Sequence, residues 1–464
     1  MTAYLTPGVY IEEIPTLPPS VAEVATAVPA FLGYTEQGEQ VARVTTMFEY
    51  EQRYGGARPT KFQVQVAIDQ GTRAVTVASA TPVGGSSQPE FLLPYAVRHH
   101  FANGGGPCYI VPVGNYGEKK AADFKEALDR LRTEDEPTLV VLVDAVSLPA
   151  ADYYDLSAQA LALCADMKDR FALLDVPDGD VQGFRDGIGI DNLMYGAAYH
   201  PYLVTTLPHV ISEDLVTVEG VPSQATTAAK TTAAKAAAKS DNPPEGTTLA
   251  ELRNTQTAVH AVVLAALAGH RVVLPPSPAV AGICARVDRE RGVWKAPANV
   301  GVASVLGPVT PMTDDDQALL NVDQTGGKSL NAIRAFTGRG TLVWGARTLA
   351  GNDNEWRYVP VRRLFITIEE SIQKATSFAV FEPNDATTWL KVRGMVESYL
   401  HGLWQSGALA GSTQEQAYFV HAGLGQTMTA QDVLEGRLII TVGVAAVRPA
   451  EFIVLQFSHL LQQA

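Results

Sequence analysis

Thr138-Leu139-Val140-Val141-Leu142-Val143-Asp144 is the stretch that decides how this chain is read. Its apolar run is unbroken and rich in β-branched residues. A strand of that kind has no polar face to turn to water, so it belongs in a parallel sheet covered on both sides. The flanking sequence agrees. A helical pattern over Lys119–Leu131 precedes the run, a second over Asp152–Arg170 follows it, and another apolar segment, Phe171–Val176, comes next. Cys108–Val113 before and Tyr202–Thr205 after read as further strands, with Asn103-Gly104-Gly105-Gly106-Pro107 as a turn. Strands and helices alternating in this way predict an α/β core.

Toward the N-terminus, Val64–Val77 alternates in the manner of a strand and Pro82–Ser87 breaks it as a loop. The first thirty or so residues read as an arm. Within it Gly8-Val9-Tyr10-Ile11 is a short β-prone run with Val9 and Ile11 on one face, and Pro7 and Pro15 on either side disfavour a helix. One strand cannot bury itself and needs a sheet to join. Toward the C-terminus, Val221–Thr247 changes to Ala-Thr-Lys repeats without aromatics, which reads as a solvated insertion or, more sharply, as a short Ala-rich docking helix. A helix over Leu249–Ala268 follows, and a second globular region begins near Val273.

The last third has the clearest periodicity. Leu364, Ile368, Ile372, Ala375 and Ala379 make one helical stripe over Leu364–Phe381, and Trp389, Val392, Val396, Leu400 and Leu403 make another over Thr388–Gln405, capped by Asp385 or Thr387. The second helix has an unusual face of Lys391, Gly394, Ser398, His401 and Gly402, flat where a solvated helix normally carries long charged chains. It reads either as a helix-packing surface or as a contact for a partner. Strands over Arg437–Val444 and Glu451–Phe457 close the chain, the latter with Phe452 and Val454 on one face.

Composition narrows the function. The 464 residues are 46% hydrophobic and 18% charged, enough for about two to four domains and too apolar for a disordered chain. Lys plus Arg number 35 against 49 acids, a net charge of −14 that argues against nucleic-acid binding. No apolar run is long enough to insert in a membrane, and Pro7, Glu12 and Glu13 stand where a signal peptide would need a basic start and an apolar run. Cys108, Cys164 and Cys284 are few and far apart, so no disulfide framework or metal cluster is expected and a reducing compartment is.

Enzyme motifs fail one by one. Gly327-Lys328-Ser329 ends like a phosphate-binding loop, but Val322 stands where that loop needs its first glycine. Gly338-Arg339-Gly340 lacks the third glycine of a dinucleotide fingerprint, and no Gly-x-Ser-x-Gly elbow occurs. His99-His100 is adjacent rather than one turn apart, which points two rings away from a shared metal. Asp314-Asp315-Asp316 lacks the alternation of a calcium loop and follows Thr313, so helix capping is the expected role. Catalytic, cofactor and metal sites are all expected to be absent.

Several spaced blocks then resemble one family in the same order. Pro7-Gly8-Val9-Tyr10-Ile11-Glu12-Glu13 is similar to the opening of contractile tail sheath proteins of myophages and contractile injection systems. Pro275-Pro276-Ser277, Ala281-Gly282, Arg286, Asp288 and Arg291-Gly292-Val293-Trp294-Lys295-Ala296-Pro297-Ala298-Asn299 resemble that family's most recognisable stretch. Trp344-Gly345-Ala346-Arg347-Thr348, Arg362-Arg363-Leu364-Phe365, Phe381-Glu382-Pro383-Asn384, Gly436-Arg437-Leu438 and Pro449-Ala450-Glu451-Phe452 continue the match. It covers the arm and most of the chain beyond Leu274; the middle is similar only in its α/β style.

The resemblance implies an α/β fold, α+β in the C-terminal lobe, of a multi-domain sheath subunit with extended N- and C-terminal arms exchanged between subunits. The expected division is a linking arm over 1–29, an α/β domain over 30–272 with a surface insertion at 221–247, a sheath core domain over 273–448 and a C-terminal strand or arm over 449–464. Gly8, Val9, Tyr10, Ile11, Phe452 and Val454 are the expected arm residues, and Lys391, Gly394, Ser398 and His401 the expected contact with an inner tube. Implied partners are copies of the chain in a helical homo-polymer, the tube, and baseplate and cap proteins. The chain would be made in the cytoplasm of the producing cell and end in a tail or injection particle. Contraction would draw on energy stored at assembly, with no nucleotide consumed. Two alternatives remain: another structural component of the same machine, baseplate or tail-terminating, and a soluble α/β enzyme, which would stay a small oligomer at high concentration.

Overall fold

A computed structural model describes residues 21–68, 74–220, 246–323 and 325–452. In chain order come β1 (Pro29–Thr35), β2 (Ala42–Val44), α1 (Met47–Tyr54), β3 (Phe62–Ile68), β4 (Val75–Pro82), α2 (Leu93–Ala102) and β5 (Cys108–Asn115). The alternating stretch comes next: α3 (Ala121–Leu131), β6 (Leu139–Leu142), α4 (Ala150–Met167), β7 (Phe171–Asp175), α5 (Val181–Gly187), β8 (Gly196–His200), β9 (Leu203–Pro208) and β10 (Val216–Glu219). Then come β11 (Thr247–Thr248), α6 (Leu249–Thr255), α7 (Thr257–Leu267), β12 (Arg271–Leu274), α8 (Ser277–Arg291), β13 (Val300–Gly301) and β14 (Val305–Pro308). Next are α9 (Asp314–Asn321), β15 (Asn331–Phe336), β16 (Gly340–Val343) and α10 (Val359–Thr376). The last are α11 (Ala386–Gln405), α12 (Gln414–Ala417), β17 (Tyr418–Ala422), α13 (Ala430–Leu434) and β18 (Ile440–Val444).

Contacts divide the chain into two units. Among the described residues the larger holds Ala25–Arg363 with Glu451 and Phe452; the smaller holds Leu364–Ala450 with residues 21–24. The boundary therefore falls at Arg363/Leu364 rather than near Val273. The reason is sheet pairing. β12 joins β9 antiparallel, and β15 pairs parallel with β8, so residues 273–363 complete sheets begun by the first half of the chain. The segment expected as an insertion, 221–247, connects β10 to β11, which are neighbours in one sheet (Val218 opposite Thr247).

The larger unit is built on a nine-stranded sheet ordered β13-β16-β15-β8-β7-β6-β1-β5-β2. Its centre is parallel and its outer pairs antiparallel. Leu139–Leu142 is buried along its whole length, as a doubly covered strand must be. Both edge strands are two or three residues long, which leaves little backbone open to unwanted pairing. A second sheet, β11-β10-β3-β4, packs Phe62, Val64, Val216 and Val218 against Leu249, Val259 and Val263 of α6 and α7. The helix expected over Leu249–Ala268 is broken at Gln256, whose backbone is non-helical (φ −141°, ψ 66°).

In the smaller unit α11 buries Val392, Met395, Val396, Leu400 and Leu403. The antiparallel pair β17–β18 turns Tyr418, Val420 and Ala422 inward. α10 begins five residues before the expected start, at Val359, and its regular part ends at Thr376 rather than Phe381. Of its stripe Leu364 and Ile368 are buried, while Ile372 and Ala375 are only half-buried.

Candidate functional site

An open α/β sheet usually offers a ligand crevice where the strand order reverses, beyond the carboxyl ends of the strands. Here that point lies at β1, which has β5 on one side and β6 on the other. The crevice is filled by the chain itself. Asp144, fully buried just after β6, accepts hydrogen bonds from the backbone N–H of Tyr34 (2.8 Å) and of Leu92 (2.5 Å). Burial raises its pKa, against the pull of Lys119 and the two N–H donors. Gly33 makes room: a Cβ there would lie 2.6 Å from Asp144 Oδ2.

The other motifs rejected from the sequence have structural roles. The glycine turn before Lys328 has its N–H groups occupied by Asp323, whose carboxylate accepts from Thr325 (3.0 Å), Gly326 (3.0 Å) and Lys328 (3.1 Å). The Lys328 ammonium donates to the Arg185 carbonyl instead of facing outward. His99 and His100 are buried on α2, with Nε2 of each 3.1 Å from the carbonyl oxygens of Ala303 and Gly106 respectively. Burial pushes both down to about 4. Thr313 caps α9 and Asp316 reaches back to the Thr313 N–H at 2.9 Å, so the acidic run is a helix start. Among the described residues no group of three or more His, Cys, Asp or Glu is placed to hold a metal, and no helix is long and apolar enough to cross a membrane.

The smaller unit offers exposed surfaces. α11 starts at Asp385, whose side chain accepts the Thr388 N–H at 2.9 Å. Asn384 just before it accepts from Trp389 Nε1 (2.6 Å) and donates to the Arg437 carbonyl (3.1 Å), which ties two of the sequence blocks together within the smaller unit. The flat face is bare. Lys391 and Ser398 are exposed, Gly394 and His401 half-buried, and a Cβ built on Gly394 or Gly402 meets nothing within 4 Å. His401 leans on Trp404 (ring centroids 5.5 Å apart) and on Gln405. Arg393 pairs with Glu397 at 2.8 Å, whereas Lys391 has no ion pair among the described residues.

The β17–β18 sheet has two strands, and among the described residues neither outer edge carries a third. Phe419 lies over Gly443 across the pair and stacks on His421 (5.0 Å), covering part of the outer face. Such a ribbon is marginal unless more strands or a helix join it; here Leu409–Ala446 bridging extends it and α11 backs it. Of the expected arm residues, Gly8, Val9, Tyr10, Ile11 and Val454 lie outside the described residues, as does most of the strand expected over Glu451–Phe457. Phe452 is described, outside any strand and 71% exposed. Glu451, not singled out for any role from the sequence, is instead paired with Arg347 at 2.6 Å.

The strand-order crevice and the phosphate-like loop are thus occupied by the chain's own groups. Comparisons with known proteins give the family. Residues 117–349 match the phage tail sheath protein central domain and residues 351–458 the phage tail sheath C-terminal domain. The chain belongs to the phage tail sheath protein family, whose members are structural and not enzymes. It is 26% identical over 129 residues to the tail sheath protein of Enterobacteria phage T4, covering 28% of this chain and 19% of that one. With the tail sheath protein of Burkholderia phage BcepMu it shares 30% over 142 residues, covering 30% and 29%. The matched stretch thus spans less than a third of these curated relatives. Among solved structures, the contracted sheath complex of an extracellular contractile injection system, PVC, is similar with a TM-score of 0.66 and 31% identity over 99% of this chain and 98% of that one. The contracted helical sheath of the anti-feeding prophage gives 0.65 and 31% over 98% and 99%.

Proposed function

We propose that this tail sheath protein is the repeating subunit of a helical sheath that surrounds an inner tube and contracts to drive it through a target envelope. The observation that carries this reading is the β17–β18 sheet, neither outer edge of which carries a third strand among the described residues, in a chain with strand candidates at Gly8–Ile11 and Glu451–Phe457. An arm from one copy adds to the sheet of the next by strand addition. That contact is head-to-tail, and where its rotation does not close it generates an open helical array. Each added strand contributes several net hydrogen bonds at about 1 kcal/mol apiece, together with burial of Val9 and Ile11 at about 1.5–3 kcal/mol each. Proline-flanked arms keep subunits linked while the folded units change neighbours, as a two-state assembly requires. The α11 face of Lys391, Gly394, Ser398 and His401 meets an acidic inner tube, and baseplate and cap proteins close the two ends. Subunits are made in the cytoplasm and leave it in the finished particle.

Removing residues up to Pro15 tests this. The truncated chain should stay folded and monomeric by sedimentation and form no tubes under negative-stain microscopy. Val9→Pro, which removes a ladder donor and the apolar side chain together, should act in the same direction. Normal tubes from the truncated chain would sink strand exchange.

A further inference from the structure

The chain passes between its two units at 24/25, 363/364 and 450/451. On the larger unit each passage is held beside a buried arginine. Arg363 donates to both oxygens of Asp288 on α8 (3.1 and 2.5 Å) and, through Nη2, to the Thr26 carbonyl at 2.9 Å. Thr26 also accepts from Thr138 Oγ1 (3.0 Å), which in turn accepts the Val28 N–H (2.9 Å). One arginine therefore fixes both the first passage and its own. The third passage ends on Glu451. Its carboxylate accepts from Arg347 Nε (2.9 Å) and Nη2 (2.6 Å), from Asn321 Nδ2 (2.8 Å) and from the Tyr358 hydroxyl (3.2 Å). Arg347 is itself fixed to the nine-stranded sheet: its N–H donates to Asn331 Oδ1 (2.8 Å) and its carbonyl accepts from Asn331 Nδ2 (2.7 Å), Asn331 being the first residue of β15.

We propose that Arg363 and Arg347 are positioning residues that clamp the roots of the N- and C-terminal segments to the larger unit, Arg363 permanently and Arg347 as a releasable latch on Glu451. The difference lies in burial. The side chains of Arg363 and Asp288 are 3% and 5% exposed, so separating them strands a charge without water. Glu451 is 22% exposed against 6% for Arg347, and the next residue, Phe452, stands in solvent; water reaches the carboxylate as it lets go. Burial alone would raise the pKa of Glu451, but its donors outweigh burial and hold it below the ordinary value, so the latch stays charged at neutral pH. A two-pronged guanidinium–carboxylate bond with further donors is among the stronger polar contacts a chain makes. It fixes where the C-terminal segment departs. Pull on that segment then enters the large sheet through Asn331 rather than the two-stranded ribbon. This mechanical consequence rests on the reading that terminal segments link neighbouring subunits; the latch itself does not. It also accounts for Arg347, Arg363, Asp288 and Glu451, four residues of the spaced blocks that a polymer reading alone leaves without a task.

The test is backbone NMR relaxation on the full-length soluble subunit before assembly, comparing the parent with Glu451→Gln and Tyr358→Phe. Glu451→Gln keeps the shape and loses the charge, and the order parameters of Ala450–Phe452 should fall from the rigid range, about 0.85, to below about 0.6 while those of Leu139–Leu142 keep their parent values. Tyr358→Phe removes one neutral donor and should lower the same order parameters by less. Parent-like order parameters at Ala450–Phe452 in both variants overturn the latch, as does loosening that spreads to Leu139–Leu142 in both. Tube formation is scored separately: a parent chain that never makes tubes removes strand exchange and leaves the relaxation result standing.

Discussion

Replacing Gly394 and Gly402 with alanine should make the subunit more stable and the sheath harder to build. Both glycines lie inside α11 with ordinary helical backbone, and a Cβ at either meets no atom within 4 Å. Glycine in a helix interior costs about 0.5–1 kcal/mol relative to alanine, and nothing local opposes the gain. The positions are eight residues apart, about 12 Å along the helix, so the gains add to about 1–2 kcal/mol. With a urea dependence of about 1–3 kcal/mol per molar, the midpoint of the smaller unit should rise by roughly 0.5–1 M. Trp389 and Trp404, both on α11, report the transition by fluorescence. If the bare face seats on a tube, two extra methyl groups overpack the contact at about 1–3 kcal/mol per subunit, and tube-templated assembly should slow or stop. A variant less stable than the parent would show that the face is covered and refute the argument; a more stable variant that assembles on tubes at the parent rate would remove the face as the contact.

Gly282→Ala should have the reverse effect on stability. A Cβ there runs into the His100 carbonyl and lies 3.0 Å from Asn103 Cβ, so overpacking of about 1–3 kcal/mol exceeds the helix gain and lowers the thermal midpoint. In acid, His99 and His100, both near 4 in the fold against 6.5 when unfolded, leave the unfolded chain holding more protons. Their contribution is complete above about pH 6.5 and falls by about 3 kcal/mol each on descent to pH 4. Asp175 opposes them: burial pushes it up to about 7 despite its bonds from Ser277, so its contribution grows as pH falls. Urea titrations of Asp175→Asn between pH 7 and 4 should therefore show a steeper acid loss than the parent, and an equal slope would contradict this assignment. Replacing residues 221–245 with a short Gly/Asn link should preserve folding and tube formation, because Val218 and Thr247 already sit opposite each other across β10 and β11; loss of tubes would show that the insertion takes part in assembly.

Local pattern exposed the core. The run Leu139–Leu142 has one reading, and the alternation at Val64–Val77 became β3 and β4 around a short break. The features that stayed hidden depend on contacts between distant residues. Arg362 and Arg363 look solvated in one dimension, so the expected start of α10 fell after them; Asp288, 75 residues away in sequence, is what lets Arg363 be buried. The break at Gln256 falls in the polar run Arg253-Asn254-Thr255-Gln256-Thr257, which holds no Gly or Pro to mark it, although Thr248 and Glu251 spell the capping box that opens α6. The lysine-rich segment was read as a solvated insertion, but composition could not show that its two flanks, β10 and β11, pair in one sheet. Of the candidate contact surface, the bareness of Lys391, Gly394 and Ser398 was legible from helical spacing alone. Glu451 was not, since a carboxylate beside an exposed phenylalanine gives no hint of a partner at Arg347.

Asp144 has a further consequence. Enzymes on open α/β sheets gain and lose a ligand at the strand-order reversal, and with it a second conformation. In this chain the occupant is covalently attached, so its local concentration does not depend on any free ligand. The same geometry makes the slot programmable: Asp144→Gly would leave two inward-pointing N–H groups with no acceptor, from Tyr34 and Leu92, in a space the size of a carboxylate. Formate or acetate added to that variant should restore its thermal midpoint in a dose-dependent way, turning a passive building block into one whose rigidity is set by a small anion.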